Sequence, residues 1–416
     1  MNKNDKKIVR LKVYLALAVI FALTLIFMPK SISGMPEIEN KLLVTVLALD
    51  KENDKIKVSG TAIMPGENQT PSIEKTTVSA LGRTVGEALD GISVKMGRPV
   101  ELGLCGAVII GSGFENESVI EPLNYLIASG KIIPGAYLLH ANKSTGAEII
   151  EKNNNLSKAS ASGINKVIEY NAVANNVPTT TILRFLTQNA GKSKSAYLPC
   201  IEFENKQQEG KNDSQSGKSE PSGSSSSGNS SQTQGEKSNE EINTLNSVAL
   251  YKEGVKVAVM DKETTRGLVW TDTRSTLGLV VLDKLIVNCE KYYSIPCQLL
   301  NKKFRINCAF VNGKPQALFS LSITLGYDST DIINTIYKKY RLSGKEMEDR
   351  IREGFARQIK NELEMVVKKM RENDCDAVLV ADHFYKFCFR EFSDYSPKER
   401  IFDDCKIDYE VKIRFA

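Results

Sequence analysis

Leu42-Leu43-Val44-Thr45-Val46-Leu47-Ala48-Leu49 is a run of eight residues in which only Thr45 is polar. A short apolar run of this kind predicts a strand that is buried on both faces. The run ends at the polar turn Asp50–Lys55, and Ile56–Met64 predicts a second strand that returns from this turn. These strands open a segment in which strands and helices alternate.

The alternation continues for the next 130 or so residues. Further strands are predicted at Thr76–Gly82, Leu102–Ile110 and Gly135–Ala141. Helices are predicted at Val85–Met96, Val119–Ala128, Thr145–Glu151 and Thr179–Asn189. Together these elements predict an α/β or α+β unit of about 170 residues.

A polar stretch separates this unit from the rest of the chain. From Gln207 to Glu240 there is no Ala, Val, Ile, Leu, Met, Cys or aromatic residue, and Ser224–Ser227 is a run of serines. Such a stretch cannot bury apolar surface against the entropy cost of ordering it. The composition predicts a disordered linker, and a plain spacer is favoured over a binding tract.

The segment after the linker again contains strands. They are predicted at Asn246–Tyr251, Lys256–Asp261, Phe304–Val311, Gln316–Tyr327, Ala377–Ala381 and Ile407–Phe415. Asn312-Gly313 between two of them is a strong hairpin signal. The last strand alternates apolar and charged residues, which is typical of a half-exposed antiparallel strand.

The longest predicted helix is Lys345–Glu372. Its apolar residues step by three or four positions and form one stripe: Met347, Ile351, Phe355, Ile359, Leu363, Val366 and Met370. We interpret the stripe as core against the sheet, and a partner-binding face is the alternative.

The predicted fold class is therefore α+β or mixed α/β, with two to three domains of mixed, mainly antiparallel sheets packed with helices. The predicted divisions are an N-terminal signal or anchor 1–35, a mixed α/β domain 36–206, a disordered Ser-rich linker 207–240 and an α+β region 241–416. A further division of the last region into 241–300 and 301–416 stays open.

The N-terminus has the composition of an export segment. Lys3, Lys6, Lys7, Arg10 and Lys12 precede Val13–Met28, which is uncharged. The apolar run is shorter than the roughly 20 residues that cross a bilayer comfortably. A cleaved signal peptide and an uncleaved transmembrane anchor both stay open, and the positive-inside rule places the chain after Met35 outside the membrane.

The composition gives little support for nucleic-acid binding or for a catalytic site. A net charge of +5 is too balanced for a nucleic-acid partner, and the chain has two histidines. His140 ends an apolar strand, and His383 follows Asp382 without a nucleophile motif nearby. We predict that the protein is not an enzyme and has no catalytic, cofactor or metal site.

The eight cysteines form no CxxC pair and no compact framework. Most lie in apolar runs, where a free cysteine behaves as a small hydrophobic residue. Cys289 with Cys297, and Cys375 or Cys388 with Cys405, remain open as pairs. A zinc site from Cys375, His383, Cys388 and Cys405 is disfavoured because the short ligand spacings are missing.

Several stretches occur in a collinear order that resembles one known family. They are Ser33–Glu39, Leu49-Asp50-Lys51, Ser79–Leu89, Ala107–Gly111, Leu198–Ile201, Ala249–Lys252, Glu263–Trp270 and Asn373–Ala377. In this order they resemble the Ger(x)C family of spore germination proteins, the C subunits of spore germinant receptors. The resemblance covers nearly the whole chain.

The resemblance implies a non-enzymatic, membrane-tethered subunit that acts in germinant response and spore germination. It implies A-type and B-type germinant receptor membrane subunits as partners, and a location at the inner spore membrane with most of the chain extracytoplasmic. Met35 stands where the family's lipidated cysteine would stand. We therefore expect the Val13–Met28 helix to anchor the protein. The alternative is an exported, membrane-anchored ligand-binding or scaffold protein unrelated to germination.

Overall fold

A computed structural model describes residues 14–21, 40–65, 73–156, 163–174, 177–204, 242–274, 278–287, 291–327 and 343–416. The chain divides into two units, Met1–Lys41 and Leu42–Ala416. In the first unit, residues 14–21 form a helical segment with exposed side chains. None of the described helices is both long and apolar enough to cross a bilayer. Half of the predicted anchor Val13–Met28 lies outside the described residues.

The second unit begins with a mixed sheet of nine strands. These are β1 (Leu42–Glu52), β2 (Lys55–Pro65), β3 (Ile73–Gly82), β4 (Val100–Glu101), β5 (Ala107–Ile110), β6 (Tyr137–Ala141), β7 (Ser195–Glu204), β8 (Ile242–Lys252) and β9 (Val255–Met260). Their order is β3-β2-β1-β5-β6-β7-β8-β9, and β4 pairs with β1. The central strands β1, β5, β6 and β7 are parallel, and the outer pairs on both sides are antiparallel.

Five helices cover this first sheet: α1 (Val85–Met96), α2 (Ile120–Ala128), α3 (Gly146–Leu156), α4 (Gly163–Val173) and α5 (Ile182–Ala190). Helices α1, α2 and α5 share a buried cluster on one face, and α3 and α4 share a cluster on the other. Because successive strand residues point to opposite faces, Leu47 and Val46 of β1 enter different clusters. The buried character of the Leu42–Leu49 run is thereby confirmed.

One predicted strand is shorter than expected. Only Ala107–Ile110 of Leu102–Ile110 is extended, because the Cys105 N–H donates to the Leu102 carbonyl oxygen over 2.9 Å and closes a turn. Leu102 and Cys105 at the two ends of this turn are apolar and buried, so the composition does not distinguish the turn from a strand.

The first sheet continues past the predicted linker. Strand β7 precedes the linker and β8 follows it, and the two are antiparallel neighbours with Ala196 opposite Tyr251. The linker predicted over 207–240 lies outside the described residues. The hydrogen-bonded sheet thus includes residues from the predicted domain 36–206 and from the predicted region 241–416.

This pairing leads to a prediction for proteolysis. Cleavage within 207–240 should leave two fragments that stay together, since nine residues of β7 pair with residues of β8. We expect the nicked protein to elute as one species in size-exclusion chromatography and to separate only in denaturant. Two fragments that separate under native conditions would contradict the β7–β8 pairing.

The rest of the chain builds a second sheet covered by helices. Its elements are α6 (Lys262–Thr271), β10 (Gly278–Val287), β11 (Lys291–Val311), β12 (Lys314–Tyr327), α7 (Gly344–Glu372), α8 (Val380–Phe387), α9 (Phe389–Asp394), α10 (Ile401–Asp404) and β13 (Lys406–Phe415). The strand order is β10-β11-β12-β13. The mixed α+β class predicted from the sequence is confirmed.

The hairpin at Asn312-Gly313 is confirmed, with φ of 52° and 74° at the two turn residues. The last strand is at its predicted position, but it pairs in parallel with β12. The antiparallel prediction was wrong because alternation of polar and apolar residues reports exposure and not strand direction. The predicted strand Ala377–Ala381 is also wrong, since helix α8 begins at Val380.

Helix α7 confirms the interpretation of its stripe as core. Every residue from Met347 to Met370 in the stripe is at most 2% exposed. The helix begins with a capping box, in which Ser343 and Glu346 each accept a hydrogen bond from the other's backbone N–H. The stripe contributes to two buried clusters, one of which also contains residues of β8 and β9.

Candidate functional site

Two segments from distant parts of the sequence meet beside a groove. One is the loop Gly191–Lys194 that follows α5, and the other is the segment Asn373–Leu379 between α7 and α8. Asp374 and Leu379 adopt left-handed backbone conformations, with φ of 49° and 66°, so the second segment turns sharply twice. Between these turns it carries Asp376 into the interior.

Asp376 joins the two segments. Its carboxylate accepts hydrogen bonds from Ser193 Oγ at 2.6 Å, from the Val380 N–H at 2.9 Å and from the Ala381 N–H at 2.8 Å. Its own N–H donates to Ser195 Oγ. Burial outweighs these hydrogen bonds and raises the pKa of Asp376 to about 7. The carboxylate therefore starts α8 and fixes it to the first sheet.

Asp382 makes a second connection between the same elements. Its two carboxylate oxygens accept from the Lys192 and Ser193 N–H groups, each at 2.9 Å. A Cβ at Gly191 would collide with this carboxylate, so a residue without a side chain is required there. We call Asp376, Asp382 and the loop Gly191–Lys194 the carboxylate clasp.

The groove beside the clasp has a volume of about 710 Å³. Four lysines line it: Lys192, Lys194, Lys252 and Lys398. Tyr385, Phe389, Phe392 and Phe402 supply its aromatic wall. This groove combines cationic side chains with aromatic rings.

Two of the lysines are neutralised locally. Lys194 pairs with Glu253 at 2.8 Å, and Lys252 pairs with Asp374. Lys192 instead lies over the Tyr385 ring, 4.7 Å from its centroid, and Lys398 lies 6.0 Å from the centroid of Phe392. The groove can thus hold an anionic or aromatic group.

The two histidines do not form a catalytic arrangement with each other. His140 is buried, with Nδ1 3.0 Å from the Tyr251 hydroxyl, and burial lowers its pKa to about 4. His383 lies in α8, where its Nδ1 contacts the Leu379 carbonyl oxygen at 2.9 Å. His140 therefore belongs to the core of the first sheet, whereas His383 belongs to the helix that the clasp fixes.

The described cysteines do not form the pairs with Cys405 that the sequence left open. Cys375, Cys388 and Cys405 carry free thiols, so neither pairing with Cys405 is formed. Burial raises the pKa of Cys375 and Cys405 to about 12, which keeps both thiols protonated. Cys289 lies outside the described residues. No group of three His, Cys, Asp or Glu side chains in the described part of the chain could hold a metal ion.

The motif residue Asp50 has a structural role. Its carboxylate accepts from the Gly146 and Ala147 N–H groups at 2.7 and 2.9 Å and so begins helix α3. A Cβ at Gly111 would collide with this carboxylate. The resemblance located these residues, but only the structure explains why an Asp and a Gly occur there.

The segment Glu263–Trp270 is also connected to another element through a carboxylate. The Trp270 Nε1–H donates to Glu362 of α7 at 2.6 Å, and Gln358 donates to the other carboxylate oxygen at 3.0 Å. Burial raises the pKa of Glu362 from its usual range. These bonds fix α6 to the long helix.

The sequence interpretation placed no function on Asp376, Asp382, Ser193 or Lys192. Asn373–Ala377 resembled a family segment, but the partner of Asp376 is 183 residues away in sequence. The available signal was a polar residue directly before an apolar stretch, as Asp376 is before Ala377–Ala381.

The clasp leads to a prediction for pH dependence. An unfolded aspartate titrates near 4, whereas folded Asp376 titrates near 7, so the folded state binds more protons between these values. Its contribution to stability should therefore fall by about 1 kcal/mol for each pH unit between about pH 4 and 7. Asp376→Asn should lack this slope, as measured by urea unfolding at several pH values. Equal slopes in the two proteins would contradict the assignment.

The chain is similar to two known protein families and to a solved structure. Residues 34–203 match the family described as Spore germination protein N-terminal domain, and residues 246–415 match the one described as Spore germination B3/GerAC like, C-terminal. A crystal structure of the GerBC protein aligns over 89% of this chain and 96% of that chain, with a TM-score of 0.50 and 16% identity. At this identity the similarity supports the fold alone. No curated protein matches the chain.

Proposed function

Because the chain belongs to the Ger(x)C family of spore germination proteins, we propose that it is a non-enzymatic, membrane-tethered subunit of a spore germinant receptor-like complex. The observation that carries this proposal is the pair of family matches in the expected order, which together extend from residue 34 to residue 415. The chain would take part in the response to germinants and in spore germination.

The partners that we propose are an A-type and a B-type membrane subunit of the same receptor. The carboxylate clasp supports a role in assembly, since it holds helix α8 and the first sheet in one fixed arrangement. The groove beside it offers lysines and aromatic rings. A surface of this composition suits binding better than turnover.

We propose attachment through the uncharged stretch Val13–Met28, with most of the chain on the extracytoplasmic side of the inner spore membrane. Met35 has no thiol, so a thioether-linked lipid cannot form at that position. The basic residues that precede the stretch favour a cytoplasmic N-terminus.

The experiment is affinity capture of the tagged full chain from detergent-solubilised spore membranes. We expect the two membrane subunits to be recovered together with it, and a variant without residues 13–28 to be lost from the membrane fraction. Capture of the intact protein without either membrane subunit would contradict the receptor role.

The tether is tested on the same membranes by washing with high salt and alkali, followed by N-terminal sequencing. We expect an uncleaved chain that resists extraction. A soluble product that begins at Gly34 would contradict the anchor, and a lipid-modified product would contradict our interpretation of Met35.

A further inference from the structure

The second sheet ends in a strand that has an open edge. Strand β13 is the last in the order β10-β11-β12-β13, and its ten residues pair with β12 without a register shift. It contains no proline and no glycine. No other strand in the described part of the chain pairs with its outer side. A regular, unpaired edge of this length can hydrogen-bond to another extended chain.

The hydrogen-bond pattern shows which backbone groups face this edge. The Ala416 N–H donates to the Leu325 carbonyl oxygen of β12 at 3.0 Å. Because successive residues of a strand direct their backbone groups to opposite sides, the even-numbered residues of β13 face β12 and the odd-numbered ones face outward. The outward residues are Ile407, Tyr409, Val411, Ile413 and Phe415. Within the described ranges, no backbone group bonds to their outward N–H and C=O groups.

The opposite edge of the same sheet is closed by a side chain. Gln358 of α7 accepts from the Asp283 N–H at 3.0 Å and donates to the Val281 carbonyl oxygen at 3.2 Å. Its amide thus takes the place of a neighbouring strand along β10, and covering an edge in this way keeps it from pairing with another chain. Strand β13 has no such cap among the residues that the structure describes. Of the two edges, β13 is therefore the one open to a further strand.

Charged and apolar side chains alternate along β13. One face carries charges in the order positive, negative, negative, positive, positive, supplied by Lys406, Asp408, Glu410, Lys412 and Arg414. The apolar side chains of the outward residues lie on the other face and pack against the clusters beneath the sheet. Among them only Ile413 is buried, and the others are partly exposed. A further strand alongside β13 would cover them.

The charge order fits a second copy of the same strand. When two copies run antiparallel about Val411, Asp408 of each copy lies opposite Arg414 of the other. Glu410 likewise lies opposite Lys412. Each contact occurs twice by symmetry, and every pair of directly opposed charges is then opposite in sign.

Neighbouring registers bring like charges together. Pairing about Glu410 or about Lys412 places that residue opposite its own counterpart. Pairing about Tyr409 places Asp408 opposite Glu410. Like charges that lie directly opposite each other destabilise a strand pair. The sequence of β13 therefore selects the register about Val411.

We propose that two copies of this protein associate through β13, antiparallel about Val411, so that the second sheet continues across both copies. Val411 is an outward residue, so its N–H and C=O meet those of its counterpart as a hydrogen-bonded pair. The contact between Glu410 and Lys412 within one strand spans 2.8 Å and is solvent-exposed, so both side chains stay available to the second copy. The inference goes beyond the proposed receptor role and does not depend on it.

Disulfide cross-linking of the detergent-solubilised full chain tests the register. In a hydrogen-bonded antiparallel pair the opposed Cα atoms are about 5.5 Å apart, a distance that a disulfide spans. We expect Val411→Cys to form a covalent dimer on mild oxidation. Tyr409→Cys is the matched control, because its counterpart in the second copy would be about 14 Å away. The unsubstituted chain measures the background from the native cysteines.

Charge exchange on the other face tests the pairing without a cross-link. Lys412→Glu should raise the dissociation constant of the dimer about tenfold in sedimentation velocity, because two attractive contacts become repulsive. Adding Glu410→Lys to it restores opposite charges and should restore the dimer. Circular dichroism checks that each variant is folded.

Three results would overturn the proposal. They are a full chain that stays monomeric at micromolar concentrations, equal cross-linking from positions 409 and 411, and a dimer that is insensitive to the charge exchange. In oxidised spore membranes, a disulfide from position 411 to a membrane subunit would replace the second copy with a receptor contact.

Discussion

Replacing Gly267 with alanine is expected to lower the free energy of unfolding by about 3 kcal/mol or more, because a methyl group has no room at this position. A Cβ there would lie 2.9 Å from the Val366 Cβ and closer still to the backbone carbonyl of Glu362. The obstacle is the backbone of α7 and not the end of a flexible side chain. The two helices must therefore separate to accept the methyl group.

The separation should be visible in the fluorescence of the protein's one tryptophan. Trp270 lies one turn beyond Gly267 in α6, and its Nε1–H donates to Glu362 on α7. Moving the helices apart would lengthen this bond and admit water to a side chain that is 5% exposed. We expect a red-shifted emission spectrum together with earlier unfolding in urea.

Gly344→Ala is the matched control. This glycine begins α7, and a Cβ placed there meets no atom within 4 Å. Alanine has the higher helix propensity, so the control should be neutral or slightly stabilising. If Gly267→Ala were as stable as the control, the close contact between α6 and α7 would be wrong.

Local patterns predicted the elements whose signal lies within a few residues. The Asn312-Gly313 hairpin and helix α7 follow from a turn dipeptide and a stripe of period 3.6, and both are confirmed. Strand β1 was predicted from its continuous apolar run and is confirmed as well.

The sequence patterns did not predict features that depend on contacts between residues far apart in the chain. Whether β13 runs parallel to β12 depends on how the chain travels from one to the other through α7 and α8, and the alternation within β13 contains no such information. The start of α8 depends in the same way on the hydrogen bonds from Val380 and Ala381 to Asp376, which a residue-by-residue propensity does not include.

The candidate site could not be predicted from the sequence for a related reason. Ser193 and Asp376 become neighbours only when the first sheet and the second sheet are both formed. The resemblance drew attention to the segments around Asp50, Gly267 and Asp376, and the structure assigns them contacts between elements. These motifs therefore hold the fold together, and the groove proposed for binding lies beside Asp376.

The second large effect is expected for Phe355→Ala in the middle of the α7 stripe. Phe355 is 1% exposed and belongs to the cluster between α7 and the second sheet. Removing a buried phenylalanine side chain loses its transfer free energy and leaves a cavity, at a cost of about 3–5 kcal/mol. The full chain is needed for this measurement, because β8 pairs with β7 and a fragment 242–416 would lack that neighbour.

Met365→Ala on the same helix is the control, because it introduces alanine at an exposed position and so removes little buried surface. Met365 is 43% exposed, so its truncation removes little buried surface and should change the free energy of unfolding by less than about 0.5 kcal/mol. Urea unfolding followed by circular dichroism measures both variants. If Phe355→Ala kept its stability but no longer assembled with the membrane subunits, the stripe would be a partner-binding face. Because the stripe is buried against the second sheet, we expect Phe355→Ala to lower stability. Any loss of assembly should then follow from that loss of stability.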